Sequence, residues 1–138
     1  MDKRASENSL KGTLIEALGI KIVELGPDKV VATMPVNEAT RQPFGLLHGG
    51  ASVALAETVA SLGTYNLIDP AKQLTVGLEI NANHIRGKRD GIVTAVGLPL
   101  HKGRTTMVWD IKLTDEDGKL ICVSRCTIAI IDKRPEIN

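Results

Sequence analysis

The residue of this sequence that most calls for a chemical explanation is a glutamate set among apolar neighbours. From Ala51 to Ile68 the apolar residues Val53, Ala54, Leu55, Ala56, Val59, Ala60, Leu62, Tyr65, Leu67 and Ile68 fall around nearly the whole circumference of a helix. Such a helix is expected to be buried. Its polar residues Glu57, Ser61 and Thr64 are spaced by four and three, which predicts one narrow stripe, and Glu57 is the only ionisable carboxylate on it. Taking an unpaired carboxylate out of water is costly. Three readings therefore stand: Glu57 pairs with an arginine, the stripe borders solvent, or the carboxylate serves as a nucleophile or general base.

Just ahead of it, His48, Gly49 and Gly50 stand where the helix begins. Glycines there let a ligand approach backbone N–H groups that have no helical partner, and a helix N-terminus favours negative charge. Together these features make an oxyanion site, eight residues before Glu57. On its own, His-Gly-Gly equally marks an ordinary turn. The plain alternatives are a loop-stabilising role for Gln42, a packing role for His48 and a small-residue role for Ser61.

These residues need elements to hold them. A helix is predicted over Ser9–Leu18, capped by Ser9 and stopped by Gly19. Residues 20–25 and 29–36 are rich in Val and Ile and flank Gly26-Pro27-Asp28, a hairpin pattern. An irregular stretch, Asn37–Leu47, leads to the helix at about Gly50–Leu67, and strands follow from about Gln73 to Ile131. In Thr105–Leu113 the residues Met107, Trp109, Ile111 and Leu113 alternate with mostly polar ones. Turns are marked by Arg89-Asp90-Gly91, Lys102-Gly103 and Asp115–Gly118. Strands grouped around one long helix predict an α+β domain with an antiparallel sheet, spanning 1–138 with its core at about 20–131 and polar ends.

Composition narrows the functions. With 138 residues and 43% apolar content the chain suits one compact domain. A net charge of +1 and only Phe44, Tyr65 and Trp109 as aromatics argue against nucleic acid, and the polar start MDKRASENSLKG against a secretory signal or membrane anchor, so the cytoplasm is expected. Cys122 and Cys126 lie in one strand-like segment, about 13 Å apart at ~3.3 Å per residue, too far for a disulfide. Both read as buried, reduced packing residues. His48, His84 and His101 are too scattered for a zinc site, so no metal is expected. No P-loop or dinucleotide fingerprint is present.

The segment QPFGLLHGGASVALAE, residues 42–57, resembles the active-site segment of hotdog-fold thioesterases of the phenylacetate-degradation type. VGLEINANH (76–84) and PLHKGRTTMVW (99–109) resemble later strands of the branch that includes 1,4-dihydroxy-2-naphthoyl-CoA hydrolase and the enterobactin-pathway proofreading thioesterase. The resemblance implies a hotdog fold, an antiparallel sheet wrapped around one long central helix, and hydrolysis of an acyl-coenzyme A, an aromatic one being favoured. It implies Glu57 as nucleophile or general base, Gly49 N–H as oxyanion donor, His48 and Gln42 as holding or polarising the thioester, and Ser61 as orienting the carboxylate or water. No cofactor is implied beyond the coenzyme A of the substrate.

Arg86, Lys88 and Arg89 in one turn and Lys102 and Arg104 in another are candidates for the coenzyme A phosphates, against the plainer reading of solvated turns. Eight helical residues separate Gly49 from Glu57 by about 12 Å, more than one thioester group bridges. The resembling enzymes pair subunits, which implies a dimer with shared sites and, by family tendency, a homotetramer. Two rival functions share these features in part. A hotdog dehydratase or hydratase would act elsewhere on the acyl chain, and a non-catalytic acyl-CoA binding protein would keep Arg86 and Arg104 but not need Glu57.

Overall fold

The computed structural model describes residues 7–135. Two single helical turns, α1 (Glu7–Leu10) and α2 (Leu14–Ala17), precede a hairpin of β1 (Lys21–Leu25) and β2 (Val30–Pro35). The long helix α3 (Gly49–Tyr65) follows, then β3 (Gln73–His84), β4 (Ile92–Lys102), β5 (Thr106–Thr114) and β6 (Leu120–Asp132). All six strands form one antiparallel sheet in the order β1-β2-β4-β5-β6-β3. It wraps α3, which touches every strand from β2 to β6. This is the expected α+β architecture.

The helix predicted over Ser9–Leu18 is instead broken. Gly12 adopts φ +73°, Thr13 is extended, and Ser9 lies inside the first turn instead of capping a longer helix. Gly19 does end the segment, at φ +70°, with its N–H on Glu16 C=O and the Ile20 N–H on Ile15 C=O, both at 3.0 Å.

The period-two alternation in β5 has its expected result: Met107, Trp109, Ile111 and Leu113 are buried against α3. Gly63 lets the helix lie directly on the indole, since a Cβ there would come 2.5 Å from the ring. Cys122 and Cys126 are both free and buried. Burial pushes the Cys126 thiol up to about 12, with the Glu57 and Glu79 carboxylates adding to the shift.

Coverage of α3 by the sheet follows the i±4 ridges, which are inclined about 26° to a helix axis. The ridge Ser52, Ala56, Ala60 and Thr64 is buried, whereas Val53, Glu57, Ser61 and Tyr65 on the next ridge are half-buried. Two expectations are thereby corrected. Thr64 does not share a stripe with Glu57 and Ser61; its hydroxyl donates to Ala60 C=O and accepts from the Trp109 indole N–H, each at 2.9 Å. Nor is α3 buried all round, because one sheet covers one side of it. The uncovered side borders β3, an edge strand on which Leu74, Val76 and Leu78 are exposed.

Candidate active site

The irregular segment before α3 is held by its own polar groups. The buried Thr40 hydroxyl donates to Pro35 C=O at 2.8 Å and accepts from Asn37 N–H at 3.0 Å, and Thr40 C=O accepts His48 N–H at 2.8 Å. Gln42 N–H donates to Leu46 C=O at 2.8 Å and the Gln42 side-chain oxygen accepts Phe44 N–H, which leaves the amide NH2 as a donor without a partner among the described residues.

His48 caps α3. Its Nδ1 accepts Gly50 N–H at 2.7 Å, so the neutral ring carries its proton on Nε2, and its C=O accepts the N–H groups of Ala51 and Ser52 at 3.0 and 3.2 Å. Among the described residues, the Gly49 N–H is the one donor of this first turn without a partner. It borders a cavity of about 270 Å³, with Gln42, Ser52, His84 and Arg86 as its polar lining and Leu46, Leu47, Ile85 and Ile121 as its apolar lining.

Two features of this cavity depart from expectation. His48 is exposed and does not line it, because the ring is folded back onto the helix start. His84 does line it, standing so close over Gly49 that a Cβ there would lie 2.7 Å from Nε2. Linear spacing carried no signal for His84. Only the pairing of β3 with β6 brings the end of β3 to the start of α3.

Glu57 lies two turns further along α3. Among the described residues the Glu57 side chain has neither an ion-pair nor a hydrogen-bond partner, so no described arginine pairs with it. Its carboxylate rests over Gly77 of β3, where an added Cβ would meet Glu57 Oε1 at 1.9 Å. The strand carries a bulge here, between Gly77 and Glu79. Ser61 follows Glu57 by one turn on the same half-buried ridge. Gln42 and Gly49 thus share one cavity, whereas Glu57 and Ser61 lie outside it.

The five candidate cations do not form one cluster. Residues 85–91 and 103–105 flank opposite ends of β4, whose eleven residues span about 33 Å at ~3.3 Å each. Lys88, only 11% exposed, is ion-paired with Glu116, and Lys102 pairs with Asp28 at 2.5 Å. Arg89 reaches Phe44 C=O at 3.5 Å. Arg86 borders the cavity, and Arg104 is exposed at the far turn. Charge in a turn is not always available charge: carboxylates from other turns, Asp28 and Glu116, engage two of the five.

The chain thus combines a long helix on a curled antiparallel sheet with an open amide at the helix start. Residues 44–122 match the Thioesterase superfamily. The chain belongs to that family. It is 51% identical over 121 residues to a 1,4-dihydroxy-2-naphthoyl-CoA hydrolase of Listeria monocytogenes, covering 88% of this chain and 98% of that protein. It is 50% identical over 120 residues to a proofreading thioesterase of Cronobacter turicensis, covering 87% of each. A thioesterase structure from Pseudomonas aeruginosa superposes with a TM-score of 0.88 at 48% identity, covering 91% of both chains. This thioesterase has the hotdog fold and is a thioester hydrolase, which sets aside the dehydratase and the non-catalytic binder.

Proposed function

We propose that the protein hydrolyses aryl acyl-coenzyme A thioesters, 1,4-dihydroxy-2-naphthoyl-CoA of menaquinone biosynthesis being the first substrate to test. The observation that carries this reading is the unpartnered Gly49 N–H opening on the cavity beside Gln42. In it the thioester carbonyl oxygen accepts the Gly49 N–H, aided by the positive end of α3, while the Gln42 amide NH2 holds the thioester. The His48 cap keeps Gly50 N–H occupied and so leaves Gly49 as the donor. A carboxylate attacks the carbonyl carbon directly or takes a proton from the attacking water, and Ser61 orients it. The thiolate leaves without a strong general acid, since thiols ionise near about 8.5. The reaction calls for no cofactor. Arg86 at the cavity and Arg104 at the far turn are the cations open to the phosphates of coenzyme A, with Arg89 in support.

The carboxylate comes from a second copy. Within one chain Glu57 is eight helical residues from Gly49, about 12 Å. On β3, Gly77 marks the position of Glu57 and His84 that of Gly49. An antiparallel pairing of two β3 edges centred near Ile80 and Asn81 sets Gly77 of one chain opposite the partner's His84, and so Glu57 beside the partner's Gly49. The same pairing covers a 12-residue edge strand whose exposed Leu74, Val76 and Leu78 would otherwise invite aggregation. We place this dimer, and a tetramer of two such dimers, in the cytoplasm. Among the described residues no helix is long and apolar enough to cross a membrane.

Subunit mixing tests the proposal. Glu57→Ala should lose about a thousandfold in kcat, and Gln42→Ala with His48→Ala should also be inactive. After exchange, the mixed dimer holds both defects in one site and none in the other, so activity should rise toward about a quarter of wild type if pairing is random. Exchange shown by mass spectrometry without recovered activity would place both groups in one chain.

A further inference from the structure

Lys88 and Glu116 lie outside the reacting cavity, yet the structure links them directly to its wall. The Lys88 side chain is 11% exposed and its ammonium is ion-paired with Glu116 Oε1. That hydrogen-bonded pairing holds the Glu116 carboxyl below its usual range. The same carboxylate oxygen accepts the Ile92 N–H at 3.4 Å. Glu116 itself sits on a stiff turn, where Asp115 Oδ1 accepts the N–H groups of Asp117 and Lys119, both at 2.9 Å.

On its other side, the backbone around Lys88 is the bed of the irregular segment that leads into α3. Lys88 C=O accepts Leu47 N–H at 2.7 Å. Arg89 C=O accepts the Arg41 guanidinium N–H at 2.9 Å. Gly87 packs beneath Leu46, whose Cδ2 would be 3.4 Å from an added Cβ. Leu47 lines the cavity and stands two residues before Gly49. An unbroken path therefore runs from the Glu116 carboxylate through the Lys88 side chain and carbonyl to Leu47 and the open Gly49 N–H.

We infer that Lys88 and Glu116 are a positioning pair: their ion pair ties the loop over residues 86–89 to the turn over 115–118 and so fixes the Gly49 donor for the transition state. The inference rests on the proposed role of Gly49. It gives Lys88 a different task from phosphate binding, because its side chain is largely buried and its ammonium already engaged by Glu116. Removing either partner frees the loop and shifts the donor. That change weakens binding of the developing oxyanion more than binding of the ground-state thioester, so it acts on kcat and spares KM.

The test compares Lys88→Met, Glu116→Gln, their double variant and Lys88→Arg in the full-length oligomer, assayed by thiol release from an aryl acyl-CoA, with Gly49→Pro in parallel. Each single charge removal should cut kcat about tenfold, as expected for a sub-ångström shift in the donor, with KM within about twofold. The double variant should be no worse than either single one, and Lys88→Arg, which keeps the pair, should stay within about threefold of wild type. Amide exchange at Leu47 should quicken in Glu116→Gln even if Lys88→Met does not fold.

A raised KM for Lys88→Met with unchanged kcat and a silent Glu116→Gln would make Lys88 a phosphate ligand and overturn the inference. So would additive losses in the double variant, or wild-type kcat throughout. A folded, fully active Gly49→Pro would instead overturn the donor role of Gly49 and, with it, the premise of the pair's task.

Discussion

Substituting Gly77 by alanine probes the placement of Glu57 without touching the carboxylate itself. The added Cβ would lie 1.9 Å from Glu57 Oε1 and 3.0 Å from Cδ. Even close C···O contacts in proteins are about 3.3 Å, so the carboxylate must retreat by roughly 1.4 Å. Misplacing a reacting group by about 1 Å costs on the order of a hundredfold, and Gly77→Ala should lower kcat by at least that factor. Stability should hardly change. Within one chain Gly77 is exposed and the half-buried carboxylate has room to move, and relieving the strand of a glycine returns roughly 0.5–1 kcal/mol, so the fold of the chain is kept and the oligomer mass reports whether the β3 contact is kept as well. The assay is thiol release from an aryl acyl-CoA across a range of substrate concentrations, alongside urea unfolding and a determination of oligomer mass. Because Glu57 acts on a bound thioester in this scheme, KM should move little. A folded, oligomeric Gly77→Ala with kcat within threefold of wild type would refute the argument that the bare surface of Gly77 holds the reacting carboxylate.

Other outcomes follow from the same contacts. Gly49→Pro removes the open N–H and should cost at least about a hundredfold in kcat, with circular dichroism and oligomer mass unchanged; a folded, fully active variant would exclude the donor role. Thr64→Val strands the buried Trp109 indole N–H and should destabilise by about 1–3 kcal/mol in urea unfolding, and a change below 0.3 kcal/mol would contradict that bond. The Cys126 thiol, pushed up to about 12, should resist iodoacetamide at pH 8 in the folded protein and react in denaturant, as mass spectrometry would reveal. The Glu116 carboxyl is held below its usual range, so its contribution to stability should be full above the unfolded value of about 4.3 and fade as pH falls through the lower folded value. The thermal-melting difference between wild type and Glu116→Gln should therefore shrink only in acid. A difference that grows in acid would reverse the sign of this linkage.

Much of this molecule is local in origin. The alternation of Met107, Trp109, Ile111 and Leu113 places their side chains on one face wherever the strand lies, because a strand turns successive residues to opposite sides. The hairpin turn at residues 26–28, the stop at Gly19 and the start of α3 at the glycine pair are likewise short-range choices of backbone angle. The 12 Å between Gly49 and Glu57 follows from helical rise alone. What the chain could not declare residue by residue was which groups meet across the fold. His84 reaches Gly49, the Glu57 carboxylate finds its place over Gly77, and Glu116 claims Lys88 because strands distant in sequence pair in one register. The split of the polar stripe has the same cause: periodicity sets where Thr64 and Glu57 point around α3, but the slant of the helix ridges against the sheet decides that one is buried and the other borders open surface.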